Sequence, residues 1–413
     1  MVKKHRVVLA YLEDVNAGIE IPPHMASKED KGKQTRAIES MLKDLLNGPL
    51  SKYKDTVFAV GGSVRDQLLN RAPKDLDLMI DDPKLKMRAA EQFTKDLARQ
   101  LGITTGQNPH ALKDQYGIWG VVLFSPNEDR TFRTPDGTDV TGYQIEVAPS
   151  RKEGPRKGEK REPEWVDYTP REDDAKRRDL TINAIYKNLA TGKIEDYVGG
   201  VQDLEDKTLR PPEHPEGTRK IYEEDPLRIF RLVRFTGKLG DFKVDPDTEK
   251  VAIDYVNSPE GRAEMKEVLS GERIRDELTQ ILTHKDPQTA VRGMEMLRKW
   301  NLLEFVAPEF DKLIDIMHDT VYHQGESVWQ HTMDVLGRTQ NNSLKARLGA
   351  LFHDIGKVST AEEAVDKEGR PRVHFKGHED VGPEIVQKAL RELHFPSDVI
   401  GSVSKIVHGH MSF

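Results

Sequence analysis

Hydrophobic and polar positions are patterned differently in the two halves of the chain. From Ala37 to Leu50 the apolar residues Ile38, Met41, Leu42, Leu45 and Leu46 recur at helical spacing, and Gly48-Pro49 predicts the stop. Thr56 to Val60 then reads as a buried strand that ends at Gly61-Gly62. Lys74 to Ile80 alternates polar and apolar, as a half-buried strand does, and strand-like runs follow at Gly117 to Phe124, Gly142 to Val147 and Ala184 to Tyr186. Between them Ser150 to Pro163 is rich in Lys, Arg, Glu, Gly and Pro and reads as a mobile surface loop. Beyond about Thr208 helical periodicity takes over, as in Leu227, Phe230, Arg231 and Arg234, then Ile274, Leu278, Ile281 and Leu282. The expectation is an α+β protein: a head with a mixed sheet, followed by all-α regions.

The length of 413 residues suits several domains. The expected division is an extension at 1–35, a head at 36–208, a helical neck and body at 209–316, and a last all-α domain at 317–413. About a third of the residues are charged, mean hydropathy is −0.66, and no apolar run approaches bilayer length, so the chain reads as cytoplasmic and without a membrane partner. The absence of cysteine leaves any metal to Asp, Glu or His. A net charge of −7 permits nucleic-acid binding only through local basic patches.

Gly61-Gly62-Ser63-Val64-Arg65-Asp66 closes a strand and opens a helix, where glycine lets backbone N–H groups approach a phosphate, although paired glycines also make plain turns. Asp75 and Asp77 lie two apart on a predicted strand, so their carboxylates share one face while Leu76 and Leu78 enter the core. Such a pair suits two Mg²⁺ ions for nucleotidyl transfer, and equally a polar strand edge. Glu146, between Ile145 and Val147, reads as a third acid of that site or as a surface residue. Arg177-Arg178-Asp179-Leu180-Thr181-Ile182-Asn183-Ala184 reads as a ribose and triphosphate site, with Arg178 the phosphate partner, or as a capped surface turn.

GGSVRD, KDLDL, KRRDLTINA and EEDPLRIFRLVRF follow one another in an order that resembles class II CCA-adding enzymes and bacterial poly(A) polymerases, within the polymerase-β nucleotidyltransferase superfamily. The resemblance continues through Leu269 to Leu278, similar to the neck-stabilising motif of that family, and more loosely at Ala148 to Arg151, similar to its flexible-loop motif. It implies a polymerase-β-like head that adds C and A to tRNA 3′ ends from CTP and ATP. It also implies catalytic roles for Asp75, Asp77 and Glu146, and nucleotide contacts from Gly61, Gly62, Arg65, Arg178, Asp179 and Asn183.

Asp225 and Arg228, three apart on a predicted helix, share a face. An Asp acceptor beside an Arg donor matches the amine and ring nitrogen of both cytosine and adenine and mismatches uracil and guanine, although such a pair is commonly just a solvated ion pair. The resemblance implies the base-reading role, with Arg231 and Arg234 contributing nucleotide or phosphate contacts. CC-adding, A-adding and poly(A)-adding relatives share these motifs.

His331, His353, Asp354 and His378 have the spacing of an HD domain, implying a site for a transition metal or Mg²⁺ with phosphohydrolase chemistry. The chain stops just past His408 and His410, where relatives continue to a last Asp ligand, so an incomplete site is expected. An HD phosphohydrolase with an RNA-binding head, or a non-catalytic RNA-binding protein, are the readings of other classes.

Overall fold

A computed structural model describes residues 28–73, 75–124, 131–154, 163–317, 326–365, 369 and 371–411. The described residues form two compact units, one ending at Lys220 and one beginning at Ile221.

The first unit opens with helix α1, Lys28–Asn47, nine residues earlier than periodicity predicts because its first turns are polar and carry no apolar signal. The chain then runs through β1 (Val57–Val60), α2 (Gly62–Leu68), β2 (Asp77–Ile80) and α3 (Ala89–Gln100). It continues through β3 (His110–Lys113), β4 (Ile118–Leu123) and β5 (Tyr143–Pro149). After β6 (Arg151–Glu153), β7 (Val166–Tyr168) and α4 (Arg171–Lys176), the sheet is completed by β8 (Ile185–Asn188) and β9 (Ile194–Asp196).

Seven of these strands make one sheet in the order β9-β8-β1-β2-β5-β4-β3. The β2–β5 pair is parallel, whereas β1–β2, β1–β8 and β4–β5 are antiparallel, so the sheet is mixed, as the sequence predicts. β1 is buried at every position, as a central strand must be. Around it Phe58, Val60, Met79, Ala175, Ala184 and Tyr186 form an apolar cluster that fixes the strands carrying the candidate site against α4.

Two sequence expectations change here. Regular strand geometry begins at Asp77, so Asp75 lies just before β2, although Leu76 is still buried between two exposed aspartates. The start of the expected loop at Ser150 is ordered: β6 pairs with β7, and Ser150 Oγ donates to Thr169 O at 2.6 Å. Residues 155–162 of that stretch lie outside the described residues, as does most of the expected extension at 1–35.

In the second unit α5 (Leu227–Lys238) packs against α6 (Gly271–Leu282) and α7 (Pro287–Lys299), and α7 against α8 (Val328–Arg338). Close approach is set by small residues: a Cβ on Gly237 would lie 2.9 Å from Thr289 O, and one on Gly293 2.5 Å from Ile281 Cγ2. The chain ends in α9 (Leu344–Phe352), α10 (His378–Glu392) and α11 (Ser397–Gly409). One departure from the all-α expectation is a hairpin of β10 (Glu362–Val365) with β11 (Pro371–His374), two short, polar strands that carry no core-facing alternation.

Candidate functional site

The turn from β1 into α2 is built by Gly61, whose φ of +77° favours glycine, and a Cβ there would stand 3.8 Å from Asp77 Oδ2. The glycine turn and the aspartate therefore face each other. The parallel register of β2 and β5 pairs Asp77 with Glu146, so two carboxylates stand side by side on the exposed face while Leu78 and Val147 fill the core beneath.

Crowding by protein atoms raises the Asp77 pKa above the usual carboxylate range, the negative charges of Glu146 and Asp75 raise it further, and Arg178 pulls the other way. All four groups thus lie within one electrostatic neighbourhood. Burial pushes the Tyr143 hydroxyl up to about 12; its contact with Thr35 Oγ1 at 3.0 Å opposes this, and the charges of Asp75 and Asp77 add to it. Nothing in the sequence singles out Tyr143.

Three oxygen donors that repel one another suit a hard divalent cation, which would relieve the repulsion. Among the described residues, sets of three donor atoms all within 4.8 Å of one another occur only around Asp354 in the second unit; the head carboxylates are spread wider, as mutual repulsion favours.

The cationic side of the head site rests on one residue that sequence reading missed. Asp174, fully buried on α4, accepts from Arg177 Nη2 and Nε on one oxygen. Its other oxygen accepts from Arg178 Nε at 3.0 Å and Tyr186 OH at 2.8 Å. Burial alone would lift the Asp174 carboxyl, but Arg178 and Arg177 outweigh it and hold it well below the usual range. Its reciprocal, Arg178, is held above its ordinary value against its own desolvation. The only sequence signal was an acid three and four residues before two arginines on a helical turn.

Arg65, Asn183 and Asp179 form a chain: Arg65 Nη1 donates to Asn183 Oδ1 at 2.6 Å, and Asn183 Nδ2 donates to Asp179 Oδ1 at 3.0 Å. Arg65 is buried and also holds Asp66 through Nε and Nη2, so it braces the glycine turn instead of projecting into solvent. Gly62 lies over it, a Cβ there meeting Arg65 Nη2 at 3.5 Å.

In the second unit Asp225 lies before α5, not on it, with Pro226 as the N-cap, so the expected helical spacing to Arg228 is replaced by a turn. Its Oδ1 accepts from Arg273 Nη2 at 2.7 Å and from Leu227 N at 3.3 Å. Arg273, on α6, therefore orients the carboxylate. Arg228 Nη1 donates to Ile221 O at 3.4 Å. Arg231 and Arg234 both pair with buried Glu277 of α6, Arg234 Nε at 2.7 Å from Oε2.

Around Asp354 the structure collects His331, His353 and His378, as the HD spacing predicts, and adds His410. All five are buried. Nδ1 of His353, His378 and His410 each contacts a backbone carbonyl, at Ala350, Phe375 and Val407. With Nδ1 donating there, each Nε2 is left as an acceptor aimed inward. His378 Nε2 and His410 Nε2 then face each other at 3.1 Å, acceptor to acceptor, an arrangement that calls for a cation. The donor set fits a divalent metal. Burial, with His353 adding to it and Asp354 opposing, lowers the His410 pKa. His410, the residue that follows α11, is not among the ligands the sequence reading assigned to this cluster.

Family models match in the same order: the poly A polymerase head domain over residues 57–210, the probable RNA and SrmB binding site of polymerase A over 241–314, and the HD domain over 325–413. The chain is 30% identical over 344 residues to the multifunctional CCA protein of Dechloromonas aromatica, covering 83% of this chain and 70% of the relative. It is 29% identical to that of Paraburkholderia phymatum, covering 83% and 71%. The fold is similar to the crystal structure of the Bacillus stearothermophilus CCA-adding enzyme in complex with CTP, with a TM-score of 0.58 at 21% identity, covering 92% of this chain and 70% of that one. No helix among the described residues is long and apolar enough to cross a membrane. The identity and coverage shared with the curated relatives, together with the three matched segments, show that the chain belongs to the multifunctional CCA protein family of tRNA nucleotidyltransferases.

Proposed function

We propose that the chain adds C and A to the 3′ end of tRNA from CTP and ATP, with transfer in a head at 36–208, base and RNA recognition in 209–316, and a metal-dependent HD domain at 317–413. The observation that carries this is the meeting of the Gly61 turn, Asp77, Glu146 and the field of Arg178 in one neighbourhood. Mg²⁺ held by Asp75, Asp77 and Glu146 would activate the 3′-hydroxyl and neutralise the departing pyrophosphate. The residues of the chain do the rest. The turn at Gly61 and Gly62 admits the triphosphate to the helix N-terminus, and Arg178, aimed by Asp174, takes a phosphate oxygen. Arg65, Asn183 and Asp179 set the shape of the ribose side.

Asp225, held by Arg273, accepts the exocyclic amine of cytosine or adenine, and Arg228 supplies the ring nitrogen with a donor; uracil and guanine reverse both partners and are refused. Arg231 and Arg234, bound to Glu277, act by holding this helix in place. RNA is recognised through backbone and shape at the acceptor arm, with affinity that falls as salt rises. In the HD domain the histidines around Asp354 hold a divalent transition metal, and its substrate is a phosphomonoester or 2′,3′-cyclic phosphate. The activity is expected in the cytoplasm.

The test is to offer tRNA ending at its discriminator base with each nucleoside triphosphate singly and in pairs, and to sequence the products. A CCA end supports the proposal; an A-only or CC-only end replaces it with a partial or poly(A) adder. Asp75→Ala or Asp77→Ala is expected to abolish incorporation while tRNA binding survives, and addition retained by either variant overturns the metal assignment.

A further inference from the structure

Tyr143 opens β5, the strand that also carries Glu146, and its hydroxyl lies 3.0 Å from Thr35 Oγ1 on α1. Thr35 is fully buried and donates its own proton to Lys31 O at 2.9 Å, so in the contact between the two hydroxyls Tyr143 is the donor. The lone pairs of the tyrosine oxygen are left to accept. The backbone N–H of Leu76 binds there, and the charges of Asp75 and Asp77 act on the same hydroxyl.

That peptide needs a holder. Leu76 precedes the paired register of β2, which starts at Leu78 against β1 and at Asp77 against β5, so neither ladder fixes the chain at Asp75. The side chain of Leu76 is buried between two exposed aspartates, and rotation of the Asp75–Leu76 peptide changes where the Asp75 carboxylate points relative to Asp77. An N–H at a buried residue ahead of the ladder must find an acceptor, and the Tyr143 hydroxyl stays in place because α1 holds it. α1 is seated close to this stretch: a Cβ on Gly32 would lie 2.8 Å from Ala72 Cβ, and Gln34 Nε2 donates to Asp139 O at 3.3 Å.

We propose that Tyr143 is a positioning residue for nucleotidyl transfer: anchored on Thr35, its hydroxyl holds the Asp75–Leu76 peptide and keeps Asp75 aligned with Asp77 toward one metal site. This rests on the reading of Asp75 and Asp77 as metal carboxylates and deepens it. The hydroxyl takes no substrate, since its proton is committed to Thr35 and a lone pair to Leu76; Tyr143 acts through the aspartates. The polar N-terminal half of α1, which carries no apolar periodicity, thereby becomes the anchor of the catalytic turn.

The experiment uses the full chain with CTP and tRNA ending at its discriminator base. Tyr143→Phe is expected to lower kcat roughly tenfold while KM for CTP stays within about twofold, because the misaligned group serves the reacting atoms and not nucleotide binding. Amide hydrogen exchange at Leu76, a readout that needs neither metal nor turnover, should quicken by about the same factor while exchange in β1 is unchanged. Thr35→Val keeps the tyrosine and the shape of the threonine, so it carries the test independently of how Tyr143→Phe folds. It should lower kcat in the same direction, and the double variant should be no slower than Tyr143→Phe alone. Gln34→Ala, which removes another contact of the same helix, should leave kcat and exchange at Leu76 unchanged. Unchanged exchange at Leu76 in Tyr143→Phe, a loss confined to KM, additive losses in the double variant, or an equal loss in Gln34→Ala each overturn the proposal. Asp77→Asn separates the two readings: incorporation that survives it overturns the metal assignment on which the proposal rests. Incorporation abolished by Asp77→Asn, together with full kcat in Tyr143→Phe, overturns the positioning role alone.

Discussion

Asp77 and Asp174 show how differently two aspartates of one head behave. Asp77 is crowded by protein and by Glu146 and Asp75, so its folded pKa lies above the unfolded value. A carboxyl shifted upward destabilises the fold as pH rises past its ordinary value near 4, and fully so above the folded pKa. Asp77→Asn should therefore raise the Tm of the chelator-treated protein at pH 7 by roughly 1–3 °C, a modest figure because solvent reaches the group, even as transfer is lost. A lower Tm for that variant would show that the carboxylates are not in mutual repulsion. Asp174 has the opposite sign. Its pKa is depressed, so its contribution is complete above the unfolded value near 4 and is lost as pH falls below it. Asp174→Asn leaves Arg177 and Arg178 without their buried counter-charge and should cost about 3–5 kcal/mol in urea denaturation at pH 7. The deficit should shrink on acidification below pH 4; one that stays constant with pH would mean that packing, not charge, is what Asp174 supplies. Asp75, Asp77 and Glu146 were legible because polar residues alternate with buried Leu76, Leu78, Ile145 and Val147. Asp174 was not, because a run of charged residues on a short helix looks the same whether one of them faces inward or none does.

At the scale of elements, the strands around the site were legible from apolar runs, whereas β6, β7, β10 and β11 are short and polar and leave no periodic trace. The relation of α5 to α6 was also hidden. Arg231 and Arg234 read as nucleotide ligands when the helix is considered alone, but Glu277 on α6, separated by more than forty residues in sequence, is buried between them. Glu277→Gln is expected to destabilise the second unit by about 2 kcal/mol, since the pair is partly open at Arg231. In a double-mutant cycle with Arg234→Ala the two losses should be less than additive; strict additivity would separate the residues energetically. Close helix approach is similarly written in single glycines. Gly356→Ala must move α10 away from the HD loop, because the new Cβ would fall 2.1 Å from His378 O, and it should cut metal retention along with stability.

At the scale of the whole molecule, the expected boundary near 316, on either side of which separate family models match, lies inside the compact unit that begins at Ile221. The reason lies where α6 begins. A Cβ on Gly271 would stand 2.0 Å from Glu392 O at the end of α10, and Arg275 Nη1 donates to His394 O at 2.6 Å. The helix that holds Asp225 through Arg273 is thereby fastened at its first turn to the helix that carries His378. Elements joined this tightly unfold as one cooperative block. Calorimetry should accordingly resolve two transitions, not three. Gly271→Val, which forces α6 off α10, should lower only the transition of the second unit, by several degrees, and split or broaden it as body and HD domain lose their common boundary. Adding Mn²⁺ should raise that same transition in the parent, because an ion held by the native histidines stabilises everything that must unfold with them. If the metal instead raised a separate third transition, the HD domain would be thermodynamically independent, and the fastening at Gly271 would carry no coupling between base recognition and the metal centre.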